Sequence, residues 1–394
     1  MAVNIPTLKE LRDSIVNDLN GKLGIAVKVF GKNFLYTLVG VLAAKLKVFY
    51  LTLADVQKNI APDLADSELI GGTLERWGRL ILGRDPFPAI GSVYSVTVTG
   101  QIGATIKGGT TFKSNDDSSN PGFLYILDAD YILTATSEEI EVRSLETGTQ
   151  TQLIIGDELT ATSPILNVES IVSVFSEVQE PLDAETEDDY RDKVKQQFQL
   201  DPQGGASADF RLWSYDAIGV RQSYPYAKSG ESANINLFVE ATASNSTDGK
   251  GTPSQAILDE VLEVIELDPD INKPLFERGR RPLGAHTIYS LPITPSDVIV
   301  SITGLSIDTP EIRQTVEDSL KNYLDGVRPF VSGADIYDER NDILNINKLS
   351  FVIVSALPDN AFFNSVSFTV NGINTIQYQF LNGNIPYFDS VVFN

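Results

Sequence analysis

The chain of 394 residues contains no cysteine and a single histidine, His286. The lack of cysteine excludes disulfide bonds and thiolate metal sites, and it fits folding in a reducing cytoplasm. One histidine excludes histidine-cluster metal sites and most serine-type catalysis with an imidazole base. His286 is expected to be an ordinary strand residue.

Basic residues are also scarce, since 30 Lys and Arg stand against 53 Asp and Glu, which gives a formal charge of −23. A surface this acidic repels phosphate backbones, so the charge argues against nucleic acid as a partner. The sequence also lacks a phosphate loop, a dinucleotide fingerprint and a nucleophile elbow. We therefore predict no cofactor.

Long uncharged apolar runs are few, and the most apolar segment extends from Phe34 to Ala54. Lys45 and Lys47 interrupt it, and its uncharged part is shorter than the roughly 20 residues that a membrane span needs. The sequence predicts a helix from Gly31 to Gln57, without membrane insertion, that packs partly on another subunit. The proposed contact residues on this helix are Phe34, Leu38, Leu42 and Phe49.

Acidic clusters offer three candidate catalytic sets: Glu138 with Glu139 and Glu141; Glu185 with Glu187, Asp188 and Asp189; and Asp268 with Asp270. A glycosidase needs two carboxylates that face each other across a cleft. The second set lies in the first turn of a predicted helix, where the helix dipole favours negative charge. We therefore name no catalytic pair and expect no enzyme.

A second group of acids, Asp116, Asp117, Asp128 and Asp130, suggests a calcium site. The segment lacks the ligand spacing and the closing glutamate of a known cation loop. A solvated turn is the preferred interpretation, and we predict no metal site.

The pattern of helices and strands predicts an α+β protein of several domains. Residues 1–88 form an N-terminal helical assembly region, and residues 89–180 form a β-rich domain. Residues 181–295 form an α/β middle domain, and residues 296–394 form a C-terminal α/β domain that ends in hairpins. The segment Pro86–Pro88 marks the first boundary.

The segment from Glu185 to Tyr226 has the clearest local signals. Thr186 and Asp189 predict a helix start, and Tyr190, Val194 and Phe198 then form one apolar face. Asp201-Pro202 ends this helix. Ser207 is expected to cap a second helix that ends at Gly219, before a strand from Val220 to Tyr226. Farther upstream, Asp66 or Ser67 is expected to cap a helix that contains Leu69 and Leu74.

The last hundred residues are predicted to contain a strand at 351–355 and two hairpins at Asn371-Gly372 and Asn382-Gly383. This part is poor in acids and rich in phenylalanine. It is either a partner-facing surface, to which Phe362 and Phe363 would contribute, or a hairpin that completes a sheet.

The only dense basic cluster contains Arg278, Arg280 and Arg281. Arginine pairs with carboxylates in bidentate geometry, so we expect Arg278 and Arg280 to dock an acidic neighbouring subunit. Arg281 is expected to pair with carboxylates of its own domain.

Four ordered blocks resemble the baseplate J-like family, the wedge proteins of phage contractile-tail baseplates. They are I-x-x-G-T-x-F at 106–112, Gly156 with Leu159, the helix–turn–helix–strand segment at 185–226, and R-P-x-G-A at 281–285. One difference is that Pro181–Glu185 replaces the glycines with which the family commonly enters the acidic helix.

The resemblance implies a non-enzymatic wedge subunit in the virion, assembled in the host cytoplasm. Two copies would pair and join other wedge, hub and sheath-initiating proteins in a ring that rearranges when the sheath contracts. The alternative is a receptor- or glycan-binding tail protein whose β domains present a site. Fibre-tip proteins usually have repetitive stalks, and no repeat is present here.

Overall fold

The computed structural model describes residues 5–23, 34–68, 71–200, 204–231, 233–282 and 284–394. The chain divides into two compact units, one of Met1–Asp85 with Tyr190–Phe198 and one of Pro86–Asp189 with Gln199–Asn394. The predicted mixture of helices and strands, with helices first and a β-rich part after them, is confirmed. The domain boundaries at 88, 180 and 295 stay a prediction.

The first unit is helical. Its helices are α1 (Leu8–Leu23), α2 (Phe34–Lys58), α3 (Thr73–Ile81) and most of α4 (Glu187–Gln199). Thr7 and Glu10 form a reciprocal cap on α1, in which the Glu10 amide donates to Thr7 Oγ1 at 3.2 Å and the Thr7 amide donates to the Glu10 carboxylate at 2.7 Å. The predicted first residues of α2, 31–33, lie outside the described residues.

Helix α3 begins at Thr73, so the prediction that Asp66 or Ser67 caps it is wrong. The Ser67 hydroxyl instead donates to the Glu75 carboxylate at 2.5 Å, and the Asp66 carbonyl accepts from the Leu74 amide at 3.0 Å. These bonds tie Asp66 and Ser67 to the first turn of α3. Leu69 lies outside the described residues.

Helix α4 begins as predicted. The Asp189 amide donates to Thr186 Oγ1 at 3.2 Å. Tyr190 and Val194 are buried with Ala65 and Leu74 in the core of the first unit. The predicted stop at Asp201-Pro202 lies outside the described residues.

The second unit begins with the β-rich part. Its strands are β1 (Val93–Thr99), β2 (Thr105–Ile106), β3 (Thr111–Ser114), β4 (Leu124–Ile126), β5 (Tyr131–Ile132), β6 (Ser137–Ser144), β7 (Glu158–Ala161) and β8 (Ile171–Gln179). Six of them close a barrel in the order β1-β6-β4-β3-β7-β8, while β2 pairs with β5. Alternate side chains, such as Val96 and Val98, fill the interior. The sequence did not predict β7.

The middle layer follows, with α5 (Ser207–Ser214), β9 (Val220–Ala227), β10 (Asn234–Ala241), α6 (Gln255–Glu266) and β11 (Thr287–Pro292). The sheet order is β11-β10-β9, in which β9 and β10 form the predicted antiparallel hairpin. Strand β11 runs parallel to β10, and α6 provides the crossover that parallel strands require. Ala206, not the predicted Ser207, is the N-cap of α5, because the Asp209 carboxylate accepts from the Ala206 amide at 2.8 Å.

The C-terminal layer contains β12 (Thr294–Thr303), α7 (Pro310–Asp325), β13 (Ile343–Asn345), α8 (Ile346–Ala356), β14 (Ser365–Val370), β15 (Ile373–Thr375), β16 (Gln377–Gln379) and β17 (Asn384–Phe393). The main sheet has the order β15-β14-β12-β17, and β13 pairs with β16. One face of α7, with Val316, Leu320 and Leu324, is buried on this sheet.

Two predictions for this layer are wrong. Residues 351–355 belong to helix α8, because the Asn345 side chain caps it and Leu349 and Ile353, four residues apart, enter the core. Asn371-Gly372 does turn β14 into β15, as predicted. Asn382-Gly383 makes no hairpin, because β16 pairs with β13 and β17 pairs in parallel with β12.

Candidate functional site

The apolar residues predicted for partner contact on α2 are exposed in the chain. Phe34 is 78% exposed and Phe49 is 58% exposed, and Leu38 and Leu42 are also exposed. Among the described residues of α2, only Val39 and Ala43 are buried. An uncovered apolar face of this size is typical of a binding surface.

Helix α2 has 25 residues and is, by length and composition alone, long and apolar enough to cross a membrane. The helix continues through Lys45 and Lys47. Only the uncharged part of the apolar run is therefore too short for a membrane span, and the whole helix is not. Only 11% of its most apolar window of 18 residues is buried. The prediction that α2 binds protein and does not insert into a membrane stays a prediction.

The arginine cluster is held mainly by its own layer. Arg280 pairs with Asp216 at 2.7 Å and with Asp268 at 3.2 Å, and Arg281 pairs with Glu266 at 2.7 Å. Arg278 donates through Nε to the Asp268 carbonyl at 2.5 Å. The guanidinium groups of Arg280 and Arg281 therefore have intramolecular carboxylate partners, and the docking role of Arg278 and Arg280 stays a prediction.

Phe362 and Phe363 differ in their exposure. Phe362 is exposed, and its backbone is fixed because its amide donates to Ser306 Oγ and its carbonyl accepts from the Ser306 amide, each at 2.8 Å. Phe363 is partly buried against the core of the C-terminal layer. Of the two, only Phe362 presents a largely exposed ring.

Three of the acids considered for calcium or catalysis, Asp128, Asp130 and Glu138, have local partners. Asp128 pairs with Arg143 at 2.8 Å, and Asp130 pairs with Lys107 at 2.7 Å. The Thr134 hydroxyl donates to the Glu138 carboxylate, and this hydrogen bond lowers the pKa of Glu138. His286 is exposed just before β11, with Nδ1 3.1 Å from Thr287 Oγ1.

A buried ionic network links the middle and C-terminal layers, and the sequence did not predict it. Arg328, which follows α7, lies 3.0 Å from Glu240 at the end of β10. The Tyr224 hydroxyl donates to the same carboxylate at 2.6 Å. Arg221 pairs with Asp325 at 2.7 Å. The Glu240 side chain is 3% exposed, and a carboxylate this deeply buried is stable only when it is paired.

A second buried arginine extends the network. Arg211, in α5, is 1% exposed and forms a bidentate ion pair with Asp335, which lies in the segment after α7. The Arg211 Nε also donates to the Ser223 carbonyl at 3.0 Å. The one sequence signal for this role was an arginine inside the apolar run F-R-L-W of a buried helix.

The burial and charges of the network shift several pKa values. Burial, and then the Glu240 carboxylate, raise the pKa of Tyr224 well above its usual range. Burial opposes the charge of Arg328, but Glu240, Tyr224 and Asp325 together outweigh it and raise the pKa of this guanidinium. The Arg221 guanidinium lowers the pKa of Asp325 to about 2. The ion pair of Arg221 with Asp325 therefore stays charged across the neutral range.

An apolar groove of about 530 Å³ lies in the middle layer, along α6 and the segment that follows it. It is lined by Leu262, Glu263, Val264, Glu266, Leu267, Pro269 and Arg278. Three candidate surfaces for partner contact are therefore present: the α2 face, this groove with its neighbouring segment, and the region around Phe362.

Comparison with known proteins gives three results. The family model of the Baseplate J-like protein barrel domain matches residues 95–178. The Mu-like prophage FluMu protein gp47 of Haemophilus influenzae is 29% identical over 135 residues, which are 34% of this chain and 36% of that protein. A chain of the cryo-EM structure of the anti-feeding prophage baseplate aligns over 95% of this chain and 90% of its own length, with 11% identity and a TM-score of 0.44.

The family match falls on the closed barrel of β1, β3, β4, β6, β7 and β8. The curated relative is matched over about a third of its length. The family resemblance predicted from the sequence motifs is confirmed.

Proposed function

We propose that this chain, whose residues 95–178 match the barrel domain of the baseplate J-like family, is a structural subunit of a phage-tail baseplate, located in the virion and without enzymatic activity. The observation that carries this proposal is the family's barrel domain at residues 95–178. In the finer form of the proposal, the chain is a wedge component of a contractile tail, where it pairs with a second copy and docks other wedge, hub and sheath-initiating proteins. It would then take part in the rearrangement that triggers sheath contraction.

The exposed face of α2 supports a role in assembly. It presents large apolar side chains, including Phe34, Leu38, Leu42 and Phe49. Covering this face with a neighbouring helix would stabilise the assembly by about 25 cal/mol for each Å² of apolar surface removed from water. We propose that α2 is a docking helix for another baseplate protein.

The buried ionic network supports the transmission part of the proposal. It joins α5 and β9 to α7 and the segment after it through two bidentate arginine contacts. Because separating these layers would leave buried charges without partners, the layers are expected to move together. A rearrangement of the baseplate would therefore displace them as one body.

Reconstitution with co-expressed neighbouring tail proteins tests the assembly role. The variant carries Leu42→Ser and Phe49→Ser on the exposed face of α2, and it should fold normally but lose incorporation into baseplates. The control is Leu80→Ser on α3, a residue that is also exposed. Normal incorporation of the α2 variant would contradict docking through this face.

Deletion of residues 1–88 is a poorer test, although the sequence suggested a folded remainder. Tyr190 and Val194 pack with Ala65 and Leu74, so the deletion would uncover buried side chains of α4.

A glycan array tests the alternative function, a receptor- or glycan-binding tail protein. Reproducible binding of one glycan class would favour a receptor-binding tail protein.

A further inference from the structure

The segment between α6 and β11 forms a loop with a closed base. The Asp268 amide donates to the Arg278 carbonyl at 2.7 Å, and the Arg280 amide donates to the Glu266 carbonyl at 3.1 Å. Residues 269–277 between these bonds form the tip of the loop. A loop whose ends are bonded together in this way is typical of compact functional loops.

Ion pairs hold this base in place. Arg280 bridges Asp216 and Asp268, and Lys273 reaches Asp268 at 2.7 Å. Asp268 therefore has positively charged partners on both sides of the loop. Partial burial opposes its ionisation, but the hydrogen bond from Lys273 and the charge of Arg280 outweigh burial and lower the pKa of Asp268. The tip projects from a fixed base.

The tip presents three large apolar side chains. Ile271 is 84% exposed, Leu275 is 70% exposed and Phe276 is 85% exposed. The apolar groove of about 530 Å³ lies beside this tip and shares Pro269 and Arg278 with the loop. An apolar projection and an apolar groove are therefore neighbours on one segment of one chain.

We propose that this loop and groove form a self-pairing surface, in which Phe276 of one protomer packs into the groove of a second copy, and the reverse. In a two-fold symmetric pair each contact occurs twice, so the projection of each copy fills the groove of the other. Burying the three apolar side chains and the groove of both copies would remove on the order of 1,000 Å² from water, near the lower limit for a stable interface.

The local charge is consistent with a second copy as the occupant. The chain has a formal charge of −23, so most of its surface repels another copy. The segment from Glu263 to Arg281 is different, because Lys273, Arg278, Arg280 and Arg281 nearly balance its acids. Arg278 lines the groove close to Glu263, so a two-fold pair can place opposite charges together. This inference rests on the proposed self-association and names its surface.

The first test measures self-association of the full chain by sedimentation equilibrium over a range of concentrations. The wild-type chain should form dimers, and Phe276→Ser should raise the dissociation constant roughly tenfold to a hundredfold, as expected for an aromatic side chain removed from an interface. Phe351→Ser is the matched control, because Phe351 on α8 is also highly exposed. It should leave the dissociation constant unchanged.

The second test uses the absence of cysteine, which allows single-cysteine labelling without background. A mixture of the Glu277→Cys and Glu263→Cys variants, treated with a short bifunctional maleimide, should give a cross-link between copies. The same mixture prepared with Ser137→Cys in place of Glu263→Cys, a residue on the barrel, should give none.

Three results would overturn the inference. A wild-type chain that is monomeric at all concentrations would exclude self-pairing, while its place in a baseplate would still be tested by reconstitution. Equal dimerisation of wild type and Phe276→Ser would keep self-association but exclude this surface. Protection of Glu277→Cys from maleimide only when another tail protein is present would assign the groove to that protein.

Discussion

The Arg328 guanidinium lies 3.0 Å from a carboxylate oxygen of Glu240, and the two residues are 88 positions apart in the chain. The Glu240 side chain is 3% exposed and the Arg328 side chain is 14% exposed. This ion pair joins the end of β10 to the segment that follows α7. It is therefore a direct link between two layers that each have their own apolar core.

Removal of one partner of this pair should be costly. Arg328→Met leaves Glu240 buried with less compensation, so it should lower the free energy of unfolding by about 3–5 kcal/mol. The measurement is urea denaturation followed by circular dichroism. Arg313→Met, which breaks the exposed pair of Arg313 with Asp308, is the control and should cost less than about 1 kcal/mol. Similar losses of unfolding free energy in the two variants would show that burial does not increase the contribution of the ion pair.

The two Asn-Gly turns provide a matched pair of substitutions. Gly372 and Gly383 have φ angles of 78° and 77°, so alanine is strained at both positions. A Cβ at Gly372 meets no atom within 4 Å, whereas at Gly383 it would lie 2.5 Å from the Phe238 ring. Gly372→Ala should cost about 1–2 kcal/mol, and Gly383→Ala should cost more because the ring must also move. Equal denaturation midpoints for the two variants would show that Phe238 moves away freely.

The acid stability of the chain should depend on Asp325. The hydrogen bond from Arg221 lowers the pKa of Asp325 to about 2, below the value of about 3.9 expected in an unfolded chain. Its contribution is therefore complete above about pH 4 and is lost as the pH falls towards 2. Asp325→Asn should reduce the fall in unfolding free energy between pH 4 and pH 2.5.

The control for this pH dependence is Asp338→Asn, at an exposed position after α7. Denaturation of the three proteins at pH 7, 4, 3 and 2.5 gives the comparison. If wild type and Asp325→Asn lost stability in parallel below pH 4, the ion pair with Arg221 would not contribute to acid stability.

Helix α8 can be tested against the strand that the sequence predicted at the same residues. Ile353 is fully buried and Val354 is exposed. Ile353→Ala should cost about 2–5 kcal/mol, because it leaves a cavity in the core. Val354→Ala should change stability by less than about 1 kcal/mol and in the favourable direction, because alanine has the higher helix propensity. A large loss from Val354→Ala, measured by the same denaturation method, would contradict the helical assignment.

Local signals explain most of what could be predicted. The cap at Thr186 depends on a residue three positions away, and it lies where the pattern placed it. The β-rich character of residues 89–180 also followed from the sequence, although β7 was not predicted. The apolar face of α2 was also predicted, because composition alone identifies it.

The missed features depend on distant partners. The β-branched run of α8 has strand propensity, and only packing of Leu349 and Ile353 on the C-terminal core selects the helix. The tip at Ile271 and Phe276 was not predicted as a contact surface, because its exposure depends on the bonds that close its base. The groove beside it was not predicted at all.

The sequence by itself determined the absence of cysteine chemistry, the acidic charge, the positions of most caps and turns, and the motifs that resemble the baseplate J-like family. Each of these depends on composition or on residues within a few positions of one another. The tertiary structure decided which Asn-Gly turn makes a hairpin and which arginines are buried with carboxylates. Those outcomes depend on strand pairing and layer contact over tens of residues, where closure of the cores selects the partners.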